Sequence, residues 1–157
     1  RILITVDPEI PVPPKLYGGI ERIAHGLIVA LRERGHRVGL MAHRESRSPA
    51  DFFQPWPGAK SNRIWCTLHN VSALVKGVRR FQPDVIHSFS RLAYLLPLLP
   101  SRIGKVMCYQ RHTGGWRISA ASFLGSSRLV FAACSSFIAN QGRGWGGRWE
   151  VIPNFVD

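Results

Sequence analysis

Short apolar runs alternate along the chain with segments of helical periodicity. The first run, 2–6, is followed by a proline-rich loop over 8–14 and then by Gly18 and Gly19. Apolar residues then recur at 20, 23, 24, 27, 28 and 31, which is the spacing of one helical face. A helix ending at Gly35 and a second buried strand at 37–42 complete the pattern. This order predicts a β-α-β unit with a parallel pair of strands.

The alternation continues to the end of the sequence. Further strands are predicted at 63–66, 84–87, 105–109, 129–133 and 149–153. Further helices are predicted at 70–82, 88–99, 116–124 and 135–141, the last capped by Ser135. The polar, proline-rich segment 43–60 is predicted to be a surface loop. Six or seven strands interleaved with helices indicate an α/β fold: one Rossmann-like, doubly wound domain over 1–157, with a mainly parallel sheet.

Composition adds a strong basic charge to this picture. The 21 lysines and arginines against 9 acidic residues give a formal net charge of +12, which favours polyanionic neighbours such as a phosphorylated substrate, an anionic membrane or nucleic acid. No apolar run reaches the roughly 20 residues of a membrane-spanning helix. Cys66, Cys108 and Cys134 lack metal-ligand spacing and are expected to be reduced, buried thiols in the cytoplasm. No signal peptide is visible in the sequence, so export is not expected.

Several familiar chemistries lack their motifs. The first loop has no G-x-G-x-x-G, and His43-Arg44 stands where a nicotinamide dinucleotide site has an acidic residue. There is no G-x-x-x-x-G-K-[ST] phosphate loop, no G-x-S-x-G nucleophile elbow and no zinc-binding spacing of histidines. Hydride transfer, ATP hydrolysis, serine hydrolysis and metal binding are therefore not expected.

The residues that follow the strands are the candidates for ligand binding, because doubly wound sheets bind ligands beyond the carboxyl ends of their strands. Backbone N–H groups at a glycine-rich helix start attract anions, so a phosphate is expected above Gly18 and Gly19. His87 and His112 end or follow other strands, and a histidine can share a proton near neutral pH. Their joint placement at one edge carries more weight than either histidine alone.

Four stretches together resemble the N-terminal domain of glycosyltransferase family 4. They are YGGIER at 17–22, LRERGHRV at 31–38, PDVIHS at 83–88 and VIPNFVD at 151–157. The resemblance implies one half of a GT-B enzyme, in which two Rossmann-like domains face a cleft. It further implies retaining stereochemistry, a nucleotide-sugar donor such as a UDP- or GDP-sugar, and no metal or other cofactor.

The resemblance also assigns roles to residues at the cleft. The Gly18-Gly19 turn corresponds to the loop that approaches the donor phosphates. His112 corresponds to the catalytic histidine that hydrogen-bonds the donor sugar and orients the reacting groups. His87 corresponds to a histidine near the acceptor pocket, with a structural role left open.

For each of two further residues the sequence leaves two roles open. Glu21 is expected either to orient an acceptor or to cap its own helix, since carboxylates favour helix N-termini. Arg111 is expected either to contact an anionic group or to be solvated.

In the resembling family a C-terminal domain, absent from this chain, follows the last motif and holds most of the donor contacts. A half-cleft cannot position both substrates, so the chain alone is expected to bind nucleotide sugar weakly and not to transfer sugar to a glycan, lipid-linked or small-molecule acceptor at a useful rate. The alternative function is a non-catalytic binding or scaffolding module that pairs with a separate catalytic chain.

A basic face is predicted on the helix at 70–82. Lys76, Arg79 and Arg80 share that face and, with the leucine-rich segment 91–105, suit peripheral attachment to the inner face of an anionic membrane. The competing interpretation is a solvated basic face beside core leucines. Nucleic-acid binding is not expected, because its signal is confined to the Gly-, Arg- and Trp-rich turn at 142–149.

Overall fold

The computed structural model describes residues 1–60, 63–111 and 115–155. Within these ranges seven strands form one parallel sheet with the order β3-β2-β1-β4-β5-β6-β7. They are β1 (Ile2–Thr5), β2 (Val38–Ala42), β3 (Phe52–Pro55), β4 (Val85–Ser88), β5 (Gly104–Tyr109), β6 (Leu129–Ala133) and β7 (Arg148–Val151). The doubly wound parallel sheet predicted from the sequence is confirmed.

Helices cover both faces of the sheet. They are α1 (Gly19–Glu33), α2 (Ile64–Phe81), α3 (Leu92–Leu95), α4 (Trp116–Gly125) and α5 (Ser136–Arg143), with short 3-10 turns at Leu96–Leu98 and Ser126–Arg128. We call the face covered by α1 the α1 side and the face covered by α2 to α5 the four-helix side. Strand side chains alternate between the two, so Leu3 packs into the core of the four-helix side and Ile4 into that of the α1 side.

The region before α2 differs from the prediction. The segment 43–60 is not wholly loop, because Phe52–Pro55 forms the edge strand β3, where a terminal proline is tolerated. The strand predicted at 63–66 is wrong, because α2 already begins at Ile64. Ile64 and Trp65 are 71% and 72% exposed, so this apolar pair does not mark a buried strand.

The other predicted elements hold with shifted bounds. The helix predicted at 88–99 is reduced to the single turn of α3 and a 3-10 turn that contains Pro97, while Ser88 still belongs to β4. The Ser135 cap is confirmed, since its Oγ accepts the N–H of Ile138 at 3.4 Å.

The three cysteines are free but only half-buried, less deeply than predicted. None of the described helices is both long and apolar enough to cross a bilayer.

Candidate functional site

The central feature of the sheet is the boundary between β1 and β4, where the direction of winding reverses. From β1 the chain crosses to β2 through α1 on one face, whereas from β4 it crosses to β5 on the other face. The loops after β1 and β4 therefore diverge and leave a crevice. A pocket of about 270 Å³ lies there, and it is lined by Asp7, Glu9, Ile10, Ile20, Glu21, Phe89 and Arg111. We call it the switch-point pocket.

Asp7 lies two residues after β1 and was not singled out from the sequence. Its carboxylate accepts the backbone N–H of Arg91, while its buried Oδ1 has no hydrogen-bond partner among the described residues. Burial, and secondarily the charge of Glu9, raise the pKa of Asp7 to about 6, against the opposing effect of Arg91 and Arg111. The pocket thus contains a carboxyl group that titrates near neutral pH.

Glu21 stands in the first turn of α1 and is only 7% exposed. Burial raises its pKa, while a hydrogen bond from its own backbone N–H and the charge of Arg111 oppose that rise. The hydrogen bond satisfies one of the donors that a helix start leaves unpaired. Glu21 therefore stands where a carboxylate favours the helix start, and it also lines the pocket; its role towards an acceptor stays a prediction.

The two glycines before Glu21 are not equivalent. Gly18 has φ +150°, and a Cβ there would lie 2.7 Å from both Glu21 Oε2 and Pro14 Cβ. At Gly19 a Cβ would have no atom within 4 Å. Gly18 is thus required by backbone and packing, whereas Gly19 is not. The Glu21 carboxylate already lies at this helix start, beside the position at which a donor phosphate is expected.

Arg111 follows β5 and lines the same pocket as Glu21. It is exposed and close enough to Asp7 and Glu21 to lower the pKa of both carboxyls. The structure therefore brings together two of the residues predicted for the cleft, Glu21 and Arg111. His112, for which the catalytic role is predicted, lies outside the described residues.

His87 lies beneath the pocket rather than on its wall. Its ring stacks on Phe89 with centroids 4.8 Å apart, and its Nε2 lies 3.0 Å from Cys108 Sγ. Burial lowers the pKa of His87 to about 4 and raises the pKa of Cys108 to about 12. Both groups are neutral near pH 7, so the pair is not an activated thiolate. His87 therefore packs against Phe89, which lines the switch-point pocket.

A buried hydrogen-bond network joins β1 and β4 near the ends at which their loops diverge. The hydroxyl groups of Thr5, Ser88 and Ser90 form a triangle with sides of 2.9, 2.9 and 3.0 Å. Thr5 and Ser88 are register partners of β1 and β4, so the triangle joins the carboxyl ends of these strands. The triangle depends on the register of β1 and β4, which the sequence alone does not give. Its only signal in the sequence was the presence of hydroxyl residues at both strand ends.

The basic face predicted for α2 lies away from the pocket. Lys76, Arg79 and Arg80 are exposed, while Leu74 and Val78 on the same helix are buried against the sheet. In the segment 91–105, Tyr94 and Leu95 belong to the core and Leu92 is half-buried, whereas Leu96 is 47% exposed. Most of these apolar residues are therefore core residues.

The described residues contain no group of three His, Cys, Asp or Glu side chains that could hold a metal ion. The pocket instead combines carboxylates, a guanidinium group and the Phe89 ring. Ionised carboxylates only accept hydrogen bonds and guanidinium groups only donate them. Such a lining can both donate hydrogen bonds to a polyhydroxylated ligand and accept them from it.

Comparison with known proteins bears on the fold and the family of the chain. The chain is similar to a solved glycosyltransferase from Rickettsia africae ESF-5, with a TM-score of 0.74, 14% identity, and coverage of 99% of this chain and 43% of that chain. At this identity the likeness shows the shared fold alone, and the chain spans less than half the length of that protein. No curated protein matches the chain. The model of the family described as Glycosyltransferase Family 4 matches residues 17–157. The chain therefore belongs to Glycosyltransferase Family 4.

Proposed function

We propose that the chain forms the acceptor-side half of a retaining hexosyltransferase of the GT-B type. The complete enzyme would move a sugar from a UDP- or GDP-sugar to a hydroxyl group of a glycan, a lipid-linked or a small-molecule acceptor. The observation that carries this proposal is the switch-point pocket, in which Asp7, Glu21 and Arg111 converge in a member of a glycosyltransferase family.

The size and chemistry of the pocket suit one sugar ring of the acceptor. Its volume of about 270 Å³ lies just below the roughly 300–1,000 Å³ of pockets for drug-sized ligands. Phe89 offers an apolar surface to the sugar ring, and the charged groups offer hydrogen bonds to its hydroxyl groups. A carboxyl with a pKa of about 6, such as Asp7, can share the proton of an acceptor hydroxyl near neutral pH.

The donor side of the proposal rests on the family resemblance. A donor phosphate is proposed to bind at Gly18 and Gly19. The partial positive charge of the helix start favours phosphate binding there, whereas the nearby Glu21 carboxylate disfavours it. His112 is proposed to hydrogen-bond the donor sugar. Most donor contacts would come from a second domain, so the 157-residue chain should bind nucleotide sugars weakly and should not turn them over.

Saturation-transfer NMR on the 157-residue chain tests the proposal. Hexoses at millimolar concentration should receive saturation from the protein, and Arg111→Ala should reduce the effect. Arg117→Ala is the matched control, because Arg117 is exposed at the same sheet edge but does not line the pocket. Absence of hexose binding would contradict the acceptor role, and tight nucleotide-sugar binding or normal turnover would contradict the half-site role.

A further inference from the structure

The segment 152–155, which follows β7, turns inward across the carboxyl edge of the sheet. Its first residue still pairs with the neighbouring strand β6, because the backbone N–H of Ile152 donates to the carbonyl oxygen of Ala133 at 2.9 Å. The side chain of Asn154 then reaches the next strand along, since its Nδ2 donates to Gln110 Oε1 at 2.8 Å. Gln110 directly follows β5, which lies two strands away from β7. We call the segment 152–155 the strap.

The strap reaches α1 through Phe155. A Cβ at Gly26, in the middle of that helix, would lie 2.7 Å from Phe155 Cζ and 2.9 Å from its Cε2, so the ring packs directly on the glycine. A glycine in a helix interior is unfavourable relative to alanine, and it usually stands there for a packing reason. At Gly26 that reason is the Phe155 ring, which occupies the space that a side chain would fill.

The two contacts of the strap lie beside two of the residues that line the switch-point pocket. Gln110 directly precedes Arg111, and Arg111 lines the pocket. Gly26 follows Glu21 on α1 by five residues, about 7.5 Å along the helix axis, and Glu21 also lines the pocket. The strap therefore connects the loop that carries Arg111 with the helix that carries Glu21.

We propose that Asn154 and Phe155 are positioning residues, which hold Arg111 and Glu21 at the separation that a bound sugar ring requires. This inference rests on the proposed function of the pocket and adds to it two residues that do not line it. Arg111 is exposed and stands on a loop, so its position depends on the contacts that hold that loop. Each contact of the strap restricts the loop before the ligand binds, and such pre-organisation improves affinity.

Hexose titrations of the 157-residue chain, followed by ¹⁵N-resolved NMR, test the positioning role. Asn154→Ala and Phe155→Ala should each raise the hexose dissociation constant roughly fivefold, the loss expected when one net contact no longer holds the binding-competent arrangement. Phe123→Ala is the matched control, because Phe123 is also exposed but stands on α4 and does not line the pocket. The control should bind hexose as the unmodified chain does. An unchanged dissociation constant in both strap variants would overturn the inference.

Gly26→Ala separates positioning from a general loss of stability. Alanine favours the helix, and the half-exposed Phe155 ring can move away from the new methyl group, so the urea midpoint should stay the same or rise. The hexose dissociation constant should nevertheless rise roughly fivefold, as in Phe155→Ala. In a chain that already carries Phe155→Ala, Gly26→Ala should have no further effect on hexose binding. Additive losses would show that the two residues act separately and would overturn the strap.

A measurement without hexose distinguishes a failure of the strap from a failure of the proposed function. In the ligand-free chain, Gly26→Ala should shift the amide signals of Gln110 and Arg111, and this effect of Gly26→Ala should disappear when Phe155 is already replaced by alanine. Unchanged Gln110 and Arg111 signals in Gly26→Ala would overturn the strap, whether or not hexose binds. Absence of hexose binding to the unmodified chain would contradict the proposed function instead, and the ligand-free shifts would still decide whether the strap positions Arg111.

Discussion

Asp7 should make the fold less stable above about pH 6, and Asp7→Asn should remove that cost. The pKa of Asp7 rises from 3.8 to about 6 on folding, chiefly through burial. Between these two values the folded chain holds the proton that the unfolded chain has released. Stability therefore falls as the pH rises through this window and stays at the lower level above it.

The magnitude follows from the size of the shift. One pKa unit corresponds to about 1.4 kcal/mol, so a rise of about two units corresponds to at most about 3 kcal/mol. Because the carboxyl group lines a pocket and is partly solvated, we expect Asp7→Asn to stabilise the chain by roughly 1–3 kcal/mol at about pH 7.5 and by almost nothing at about pH 4. Urea unfolding at the two pH values measures the difference.

Asp51 provides a control of opposite sign. Its carboxylate accepts the backbone N–H of Val38 at 2.8 Å and pairs with Arg32 at 3.1 Å, and these contacts lower its pKa despite some burial. Asp51→Asn should therefore destabilise the chain at about pH 7.5 and have less effect as the pH falls. Equal urea midpoints for Asp7→Asn and the unmodified chain at about pH 7.5 would refute the claim that the pocket holds a carboxylate at a cost in stability.

Three further predictions concern glycines and the helix start. Gly18→Ala should destabilise the chain by more than about 1 kcal/mol, because of its positive φ and its contact with Pro14, while Gly19→Ala should be nearly neutral in the same urea titration. Gly142→Ala should destabilise by roughly 1–3 kcal/mol, because its Cβ would collide with the ring of buried Trp149; a neutral result would mean that the ring moves freely. Glu21→Gln should strengthen nucleotide-sugar binding, seen in NMR titration, because it removes a negative charge beside the proposed phosphate position. Unchanged or weaker binding would argue that the phosphate binds elsewhere.

Periodicity was sufficient for the architecture because the strands of a doubly wound sheet are short apolar runs buried on both faces, whereas each helix buries one regular face. It failed where apolar residues are not buried. Ile64 and Trp65 look like strand residues in the sequence, but they are exposed on the first turn of α2. It also failed at β3, because an edge strand tolerates the prolines that otherwise mark a loop.

The candidate site was predictable at the level of loops but not of side chains. Glu21 and Arg111 reach one pocket because both follow parallel strands that end at the same edge. His87 belongs to the strand itself, so the alternation of strand side chains directs it into the core of the α1 side. Asp7 was missed because it precedes a proline-rich loop, although its position two residues after β1 was a usable signal.

The central claim, that the switch-point pocket binds a sugar, is tested most directly by mapping where a hexose binds. In a ¹⁵N-resolved NMR titration of the 157-residue chain, the amide signals of Asp7, Glu21, Phe89 and Arg111 should shift together and saturate at millimolar hexose. Signals at the opposite edge of the sheet, such as that of His36, should remain unchanged. Hexose-dependent shifts confined to that opposite edge, or no shifts at all, would contradict the account.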